Sequence, residues 1–349
     1  MENRSTTLTS ETGNTSAPSP EKLLQLAMGF WGSKTLLSAV ELDLFTVLGT
    51  GPRNATQLVE ELRLHPRSAV DFLDALVALD MLDRDDGLYR NTAQTGAFLD
   101  RAKPGYMGGL LLMANNRLYP FWGSLTEALR TGQPQNEAKE GGNPFDSIYR
   151  DEAVLREFLR AMTGASLGPA KAIAQKFSWH NYRSFVDIGT AQGALMVEVA
   201  RTHEHLTGVG FDLPAVGPVF NDYIAENGLQ ERIRFHPGDF FKEAFPSADV
   251  LVMGHILHDW NLEQKRELLA KSYKALPAGG CLIVYDAVID DERRRNAFGL
   301  LMSLNMLIET PGGFDYTGKQ CLEWMTEAGF REVRVEPLVG STSMIIGVR

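Results

Sequence analysis

Cysteine is scarce in this chain of 349 residues: there are two, Cys281 and Cys321, each isolated. No CxxC pair exists, which argues against a structural zinc site and against a disulfide framework. Apolar runs of membrane-spanning length are also missing. Residues 1–20 are rich in Ser, Thr, Asn and Pro and lack the apolar core of a signal peptide. They read as a disordered tail, and the expected location is the cytoplasm. Positive charge is in short supply, with a formal net charge of −10. The one basic run, Arg293 to Arg295, follows three acids, Asp290, Asp291 and Glu292. Such a chain has no field to gather phosphates, so neither nucleic acid nor membrane is an expected partner.

What is present is the composition of a globular protein, 44% hydrophobic and 22% charged, at a length that suits two domains. From Pro20, apolar residues recur at three- and four-residue spacing through LLQLAMGFWGSKTLLSAVELDLFTVL, a helical pattern. A short helix follows at ATQLVEEL, with Asn54 or Thr56 near its start, and another over 66–82, with Pro66 in its first turn. Asp86-Gly87 then marks a turn between short strands. Three helices and such a turn make a winged-helix pattern over 21–100. Residues 101–180 read as further helix, broken between Gly132 and Pro144.

The pattern changes at Tyr182. Strand-like runs (SFVDIG, LTGVGFDL, IRFHPGDFF, ADVLVMGHIL, GCLIVYDAVI) alternate with helical segments through 181–349. Alternation of this kind predicts an α/β fold, a doubly wound Rossmann-like sheet with both faces covered. The last two runs, REVRVEPL and SMIIGVR, are joined by the short VGST, which only an antiparallel hairpin can use, so the final strand is reversed.

Candidate chemistry sits at the ends of successive strands. The first ends in Asp187-Ile188-Gly189, and Gly193 opens a helix. Glycines at such a turn let a ligand approach the backbone, although a glycine turn is often only a turn. Asp212 ends the second strand, where an acid can hold ribose hydroxyls or simply face solvent. Asp239 with Phe240 ends the third, where an acid and a ring suit an adenine, or a turn over a core aromatic. The fourth strand leads to His255-Ile256-Leu257-His258-Asp259-Trp260. A histidine placed there can take a proton near neutrality. His255 and His258 also have the spacing of metal ligands, but no third donor is evident, so no metal is expected. Asp286 and Asp315 could hold a histidine in one tautomer or be loop acids in solvent.

Together these motifs resemble the small-molecule O-methyltransferases that depend on S-adenosylmethionine. This is the family of caffeate and hydroxyindole methyltransferases and of many bacterial antibiotic-pathway enzymes. SFVDIGTAQG, GFDLP, PGDFF and HILHDWN match its motifs in order, and EALRTG, AMTGAS, ALPAGG, PGGFDYT and EAGF fit as well. The resemblance implies that Asp187, Gly189 and Gly193 belong to the cofactor turn, that Asp212 binds the ribose, and that Asp239 and Phe240 hold the adenine. Ser166 would lie by the cofactor and Met162 by the substrate. His258 would be the base, flanked by Asp286 and Asp315, and Trp122, Met302, Asn305 and Met306 would wall a small-molecule pocket. It further implies a homodimer, formed by the N-terminal domain. Three departures stand out: Thr190 and Ala191 replace two glycines of the first motif, Gly254 replaces a basic residue, and aspartates replace the flanking glutamates. Methylation of carbon or nitrogen, a non-methylating relative, and a DNA-binding regulator are the competing readings. Between residues 21 and 100, seven basic residues stand against twelve acidic ones, and the expected recognition helix carries Asp71, Asp74 and Asp80. That balance opposes phosphate contact.

Overall fold

The computed structural model describes residues 18–137, 139, 141, 148–149 and 151–349. The expected tail lies outside the described residues apart from residues 18–20, and part of the Gly132–Pro144 break does too. Helix Glu21–Glu41 opens the fold. The continuous helical pattern that follows in the sequence is interrupted at Asp43, whose φ of 61° turns the chain before helix Leu44–Gly49. Helix Ala55–Glu61 starts at Asn54, not Thr56. The Asn54 side chain accepts from the Gln57 amide, and the Gln57 side chain accepts in return from the Asn54 amide. The next helix is shorter than expected, Ala69–Ala78. Pro66 stays in the turn before it, and Asp80, at φ 59°, ends the helical path.

Three short strands, β1 (Arg53–Asn54), β2 (Leu82–Asp85) and β3 (Leu88–Asn91), form a sheet in the order β1-β3-β2. Asp86 and Gly87, at φ 47° and 75°, make the two-residue turn between β2 and β3. Positive φ at both positions gives the twist that a tight hairpin needs. The N-terminal domain therefore combines its helices with a small sheet. Its core gathers Leu44, Phe45, Leu58, Leu73, Leu76 and Leu82.

The second sheet contains β4 (Ser184–Ile188), β5 (Thr207–Asp212), β6 (Ile233–Pro237), β7 (Val250–Gly254), β8 (Cys281–Asp286), β9 (Arg331–Pro337) and β10 (Ser343–Val348). Their order is β6-β5-β4-β7-β8-β10-β9. Strands β4 to β8 pair in parallel, and β10 runs against both β8 and β9, with Ile346 opposite Ile283. Side chains alternate between two cores. Val250, Val252, Cys281 and Ile283 pack with Phe185 and Phe220 on one face. Leu251, Met253, Leu282 and Val284 pack with Phe211 and Leu257 on the other. Every residue of β8 is buried, which explains its unbroken apolar run. Strand order reverses between β4 and β7, so a crevice opens at the carboxyl ends of β4, β5, β7 and β8. Among the described residues, no helix is long and apolar enough to cross a membrane.

Candidate active site

The turn after β4 folds tightly because Gly189, Ala191 and Gly193 all have positive φ, 72°, 51° and 91°. A Cβ on Gly189 would meet the Ile256 side chain at 2.2 Å, and one on Gly193 would meet Phe220 at 2.8 Å. Glycine is thus demanded there by packing as well as by conformation. The Ala191 and Leu213 amides donate to the two oxygens of Asp212, at 2.9 and 2.8 Å. Thr190 donates to Asp187 at 3.0 Å. Its methyl is buried against Gly210, where an added Cβ would lie 2.8 Å away, so the Thr190 departure is absorbed inside the fold.

Burial raises Asp187 to about 7, helped by the Asp212 charge, and raises Asp212 to about 6. Among the described residues, the hydrogen-bond partners of both carboxylates are donors, two backbone amides and a hydroxyl. A ligand suited to this edge brings hydroxyl donors or positive charge, and a phosphate would be repelled. Asp239 is half-buried. Burial works upward on its carboxyl, but Lys242 and the Phe241 amide outweigh it and hold it low. Phe240 meets Trp260 edge-on at 5.6 Å.

The chain leaves β7 through His255, at φ 55°, into a single helical turn, Leu257–Asp259. That turn buries His258 amid three carboxylates. Nδ1 lies 3.3 Å from Asp315 Oδ1 and 3.9 Å from Asp286 Oδ1, and Nε2 lies 3.6 Å from Asp259 Oδ1. Asp286 and Asp315 are 1% and 2% exposed, so they are not loop acids in solvent. Burial alone would lower His258; the charges of Asp286, Asp259 and Asp315 override it and lift the ring to about 10. Burial pushes Asp286 up to about 7 against the pull of His258, while Tyr316 donates to its Oδ2. Burial and the His258 charge hold His255 down to about 3. One donor atom each of His255, His258 and Asp286 lies within 4.8 Å of the others, an approach that follows from the Asp286 carboxylate standing between the two rings.

Helix Ala297–Glu309 closes one side. Asn305 and Met306 are buried, and Met302 is half-buried. Trp122 donates from Nε1 to Asn305 Oδ1 at 2.8 Å, and Ser303 accepts from the Asp315 amide at 3.2 Å. Met162 and Ser166 lie half-buried on helix Glu152–Lys176, and Ser166 hydrogen-bonds Tyr285. The Tyr285 ring fills the place of a side chain at Gly254, where a Cβ would sit 1.9 Å from it. Several neighbours escaped the sequence reading. Asp259 was visible beside His258, but only the helical turn brings it round to Nε2. Gln192, which accepts from Thr163 at 2.9 Å, and Tyr149, which feels both Asp212 and Asp259, had no sequence signal. Two cavities of about 320 and 330 Å³ lie in the N-terminal region, and neither is lined by His258.

The raised pKa of Asp187 makes a signed prediction. Its folded value exceeds the unfolded one, so its contribution to stability is complete below about 4 and is lost as pH rises through about 7. Asp187→Asn removes that loss. In the cofactor-free protein, the melting temperature of the variant relative to wild type should climb by a few degrees between about pH 5 and pH 8, at about 2–4 °C per kcal/mol. Melting curves with a constant or shrinking gap would contradict the assignment.

Comparison with known proteins places these features in a family. An O-methyltransferase domain model matches residues 122–331, and an O-methyltransferase dimerisation domain model matches residues 24–101. The chain is 44% identical to the tetracenomycin polyketide synthesis 8-O-methyl transferase TcmO of Streptomyces glaucescens, covering 96% of this chain and 98% of that one. It is 38% identical to the N,N-dimethyltransferase OxyT of Streptomyces rimosus, over 94% and 96%. The crystal structure of human N-acetylserotonin methyltransferase in complex with S-adenosylmethionine superposes with a TM-score of 0.88 at 27% identity, covering 97% of this chain and 99% of that one. The chain belongs to the S-adenosylmethionine-dependent O-methyltransferase family.

Proposed function

We propose that the chain methylates a phenolic hydroxyl of a flat, apolar small molecule, with His258 taking the hydroxyl proton. The observation that carries this reading is the ring of three carboxylates around a buried histidine at the carboxyl edge of the sheet. The polyketide relative supports an aromatic polyketide-type substrate. The half-buried Trp122, Met162 and Met302 with the buried Asn305 and Met306 suit one.

The edge formed by Asp187 and Asp212 fits a ligand with hydroxyl donors and positive charge, as the cofactor has. Asp212 would hold its ribose and Asp239 with Phe240 its adenine. Gly189, Gly193 and Ser166 would lie along the methionine portion. When bound, the cofactor supplies a methyl group already activated by its sulfonium. This leaves the protein to orient the acceptor and accept a proton, tasks that contribute ~7–11 kcal/mol and ~10²–10⁴-fold respectively. Asp315 and Asp286 face Nδ1 of His258, which would leave Nε2, on the side of Asp259, to take the acceptor's proton. A conjugate acid of about 10 matches a phenol of about 10, so the transfer is close to balanced.

His258 must first shed its resting proton, so turnover should rise as pH climbs from about 7 toward 10. His258→Gln should lower the rate at pH 7 by ~10²-fold or more. The variant's rate should itself rise with pH as the phenol ionises unaided near its own pKa. Near-normal turnover of the folded variant at pH 7 would remove His258 from this role. Likeness to an N,N-dimethyltransferase supports a second reading, transfer to an amine. A neutral amine needs no base before attack, so insensitivity to His258→Gln together with an N-methylated product would favour it.

The N-terminal domain supports a homodimer. Leu23, Leu24, Leu26, Phe30 and Trp31 on the first helix are between 50% and 84% exposed. Apolar area left in water forgoes ~25 cal/mol per Å², and a patch of this kind marks an interface. Light scattering at micromolar concentration should return about twice the 38.6 kDa chain mass. Trp31→Glu should shift the protein toward monomer. A monomeric wild type would contradict the pairing. The acidic balance of this domain supports a partner that is protein and not nucleic acid.

A further inference from the structure

Lys265 is fully buried, at 0% exposure, in the first turn of helix Leu262–Ala275. Both facts oppose a lysine. Burial penalises the ammonium, and the amino end of a helix already carries partial positive charge. The mechanism proposed above makes no use of it. Its Nζ donates to the Trp260 carbonyl, just after the turn that carries His258 and Asp259. The same Nζ stands 3.7 Å from the centre of the Phe314 ring and 5.8 Å from that of Tyr316. Phe314 and Tyr316 flank Asp315, and Tyr316 donates to Asp286. One ammonium thus touches both chain segments that must meet for His258 to be enclosed.

We propose that Lys265 is a positioning residue of the proton-accepting cluster, clamping the His258–Asp259 turn to the Phe314–Tyr316 loop and opposing the negative charge of the three aspartates. This inference rests on the reading of His258 as the base. The groups that face Lys265 are Asp259 from the turn, Asp286 from the end of β8, Asp315 from the loop and Cys321 from helix Gly318–Glu327. Three of them are acids: burial lowers the ammonium to about 8, and the charges of Asp286, Asp259 and Asp315 oppose a larger fall. The geometry needs a long side chain ending in a compact cation: it must reach a carbonyl and a ring face at once. Tyr316 then hands the placement on to Asp286 by its hydroxyl.

The effect should be visible as both a rate and a pH dependence. Lys265→Met keeps the length and removes the charge. Its kcat on a phenolic substrate should fall ~10-fold or more, with cofactor affinity unchanged. Loss of a nearby cation raises the proton affinity of His258 and of the aspartates, so the rising limb of the pH–rate profile should move to higher pH by about one unit. Lys265→Arg keeps a charge and should hold the limb near its wild-type position even where kcat suffers from the larger head. Phe314→Leu removes the ring face but keeps the ammonium. It should lower kcat severalfold without moving the limb, and it tests the loop half of the clamp if Lys265→Met does not fold. A folded Lys265→Met enzyme with wild-type kcat and an unmoved limb would overturn the proposal, and so would a Phe314→Leu enzyme with wild-type kcat. His258→Gln is run alongside. If that variant is also active, it is the base reading that fails. If it is inactive while Lys265→Met is normal, the clamp alone fails.

Discussion

Two buried carboxylates and a third that is partly buried lie within a few ångströms of one imidazole, and a buried charge left unanswered is expensive. Asp259, Asp286 and Asp315 come from a turn, a strand end and a loop far apart in the chain. They can be held together only if cations and donors stand among them. His258 supplies one cation and Lys265 another, while Tyr316 donates to Asp286. Much of the surrounding structure can be read as scaffolding for this arrangement. The left-handed His255 turns the chain out of β7, Asn261 caps the helix that carries Lys265, and Ser303 accepts from the Asp315 amide. The same closeness that makes the cluster costly gives the histidine its raised proton affinity.

The cofactor edge follows the same rule with a different answer. Asp187 and Asp212 are buried next to each other, satisfied by amides and a hydroxyl and, among the described residues, by no cation. Their burial favours protonation in the empty protein and attracts positive charge when ligand enters. Burial, with the charges of Asp212 at this edge and Asp259 at the other, pushes the Tyr149 phenol up, which places that side chain between the two halves of the crevice.

How much of this could be read from the sequence depended on how local the cause was. The continuous apolar runs of β7 and β8, the hairpin forced by a short connection and the Asp86-Gly87 turn are set by neighbours in the chain, and the structure has them where the pattern put them. The strand-tip residues Asp187, Asp212, Asp239 and His258 were visible for the same reason, since each follows an apolar run. Helix ends were less legible. Asp43 and Asp80 break helical patterns through left-handed conformations that the apolar spacing does not encode. The effect of a substitution was legible only where its neighbours were known. The sequence shows Thr190 and Gly254 only as departures from the family's motifs; the structure shows that the Thr190 methyl packs against Gly210 and that the Tyr285 ring fills the place of a side chain at Gly254. Lys265 has no signal in the sequence, because its burial is created by a loop about fifty residues on.

The central physical claim is that the carboxylates hold His258 as an imidazolium well above the pH at which a free histidine loses its charge. Nitrogen NMR of protein labelled at histidine, with His258→Gln used to assign its signals, reads that state directly. The ring should still show the shifts of a doubly protonated imidazole at about pH 8 and should titrate toward 10. A His258 that titrates near the ordinary value of about 6.5 would contradict the carboxylate cage as the source of its basicity.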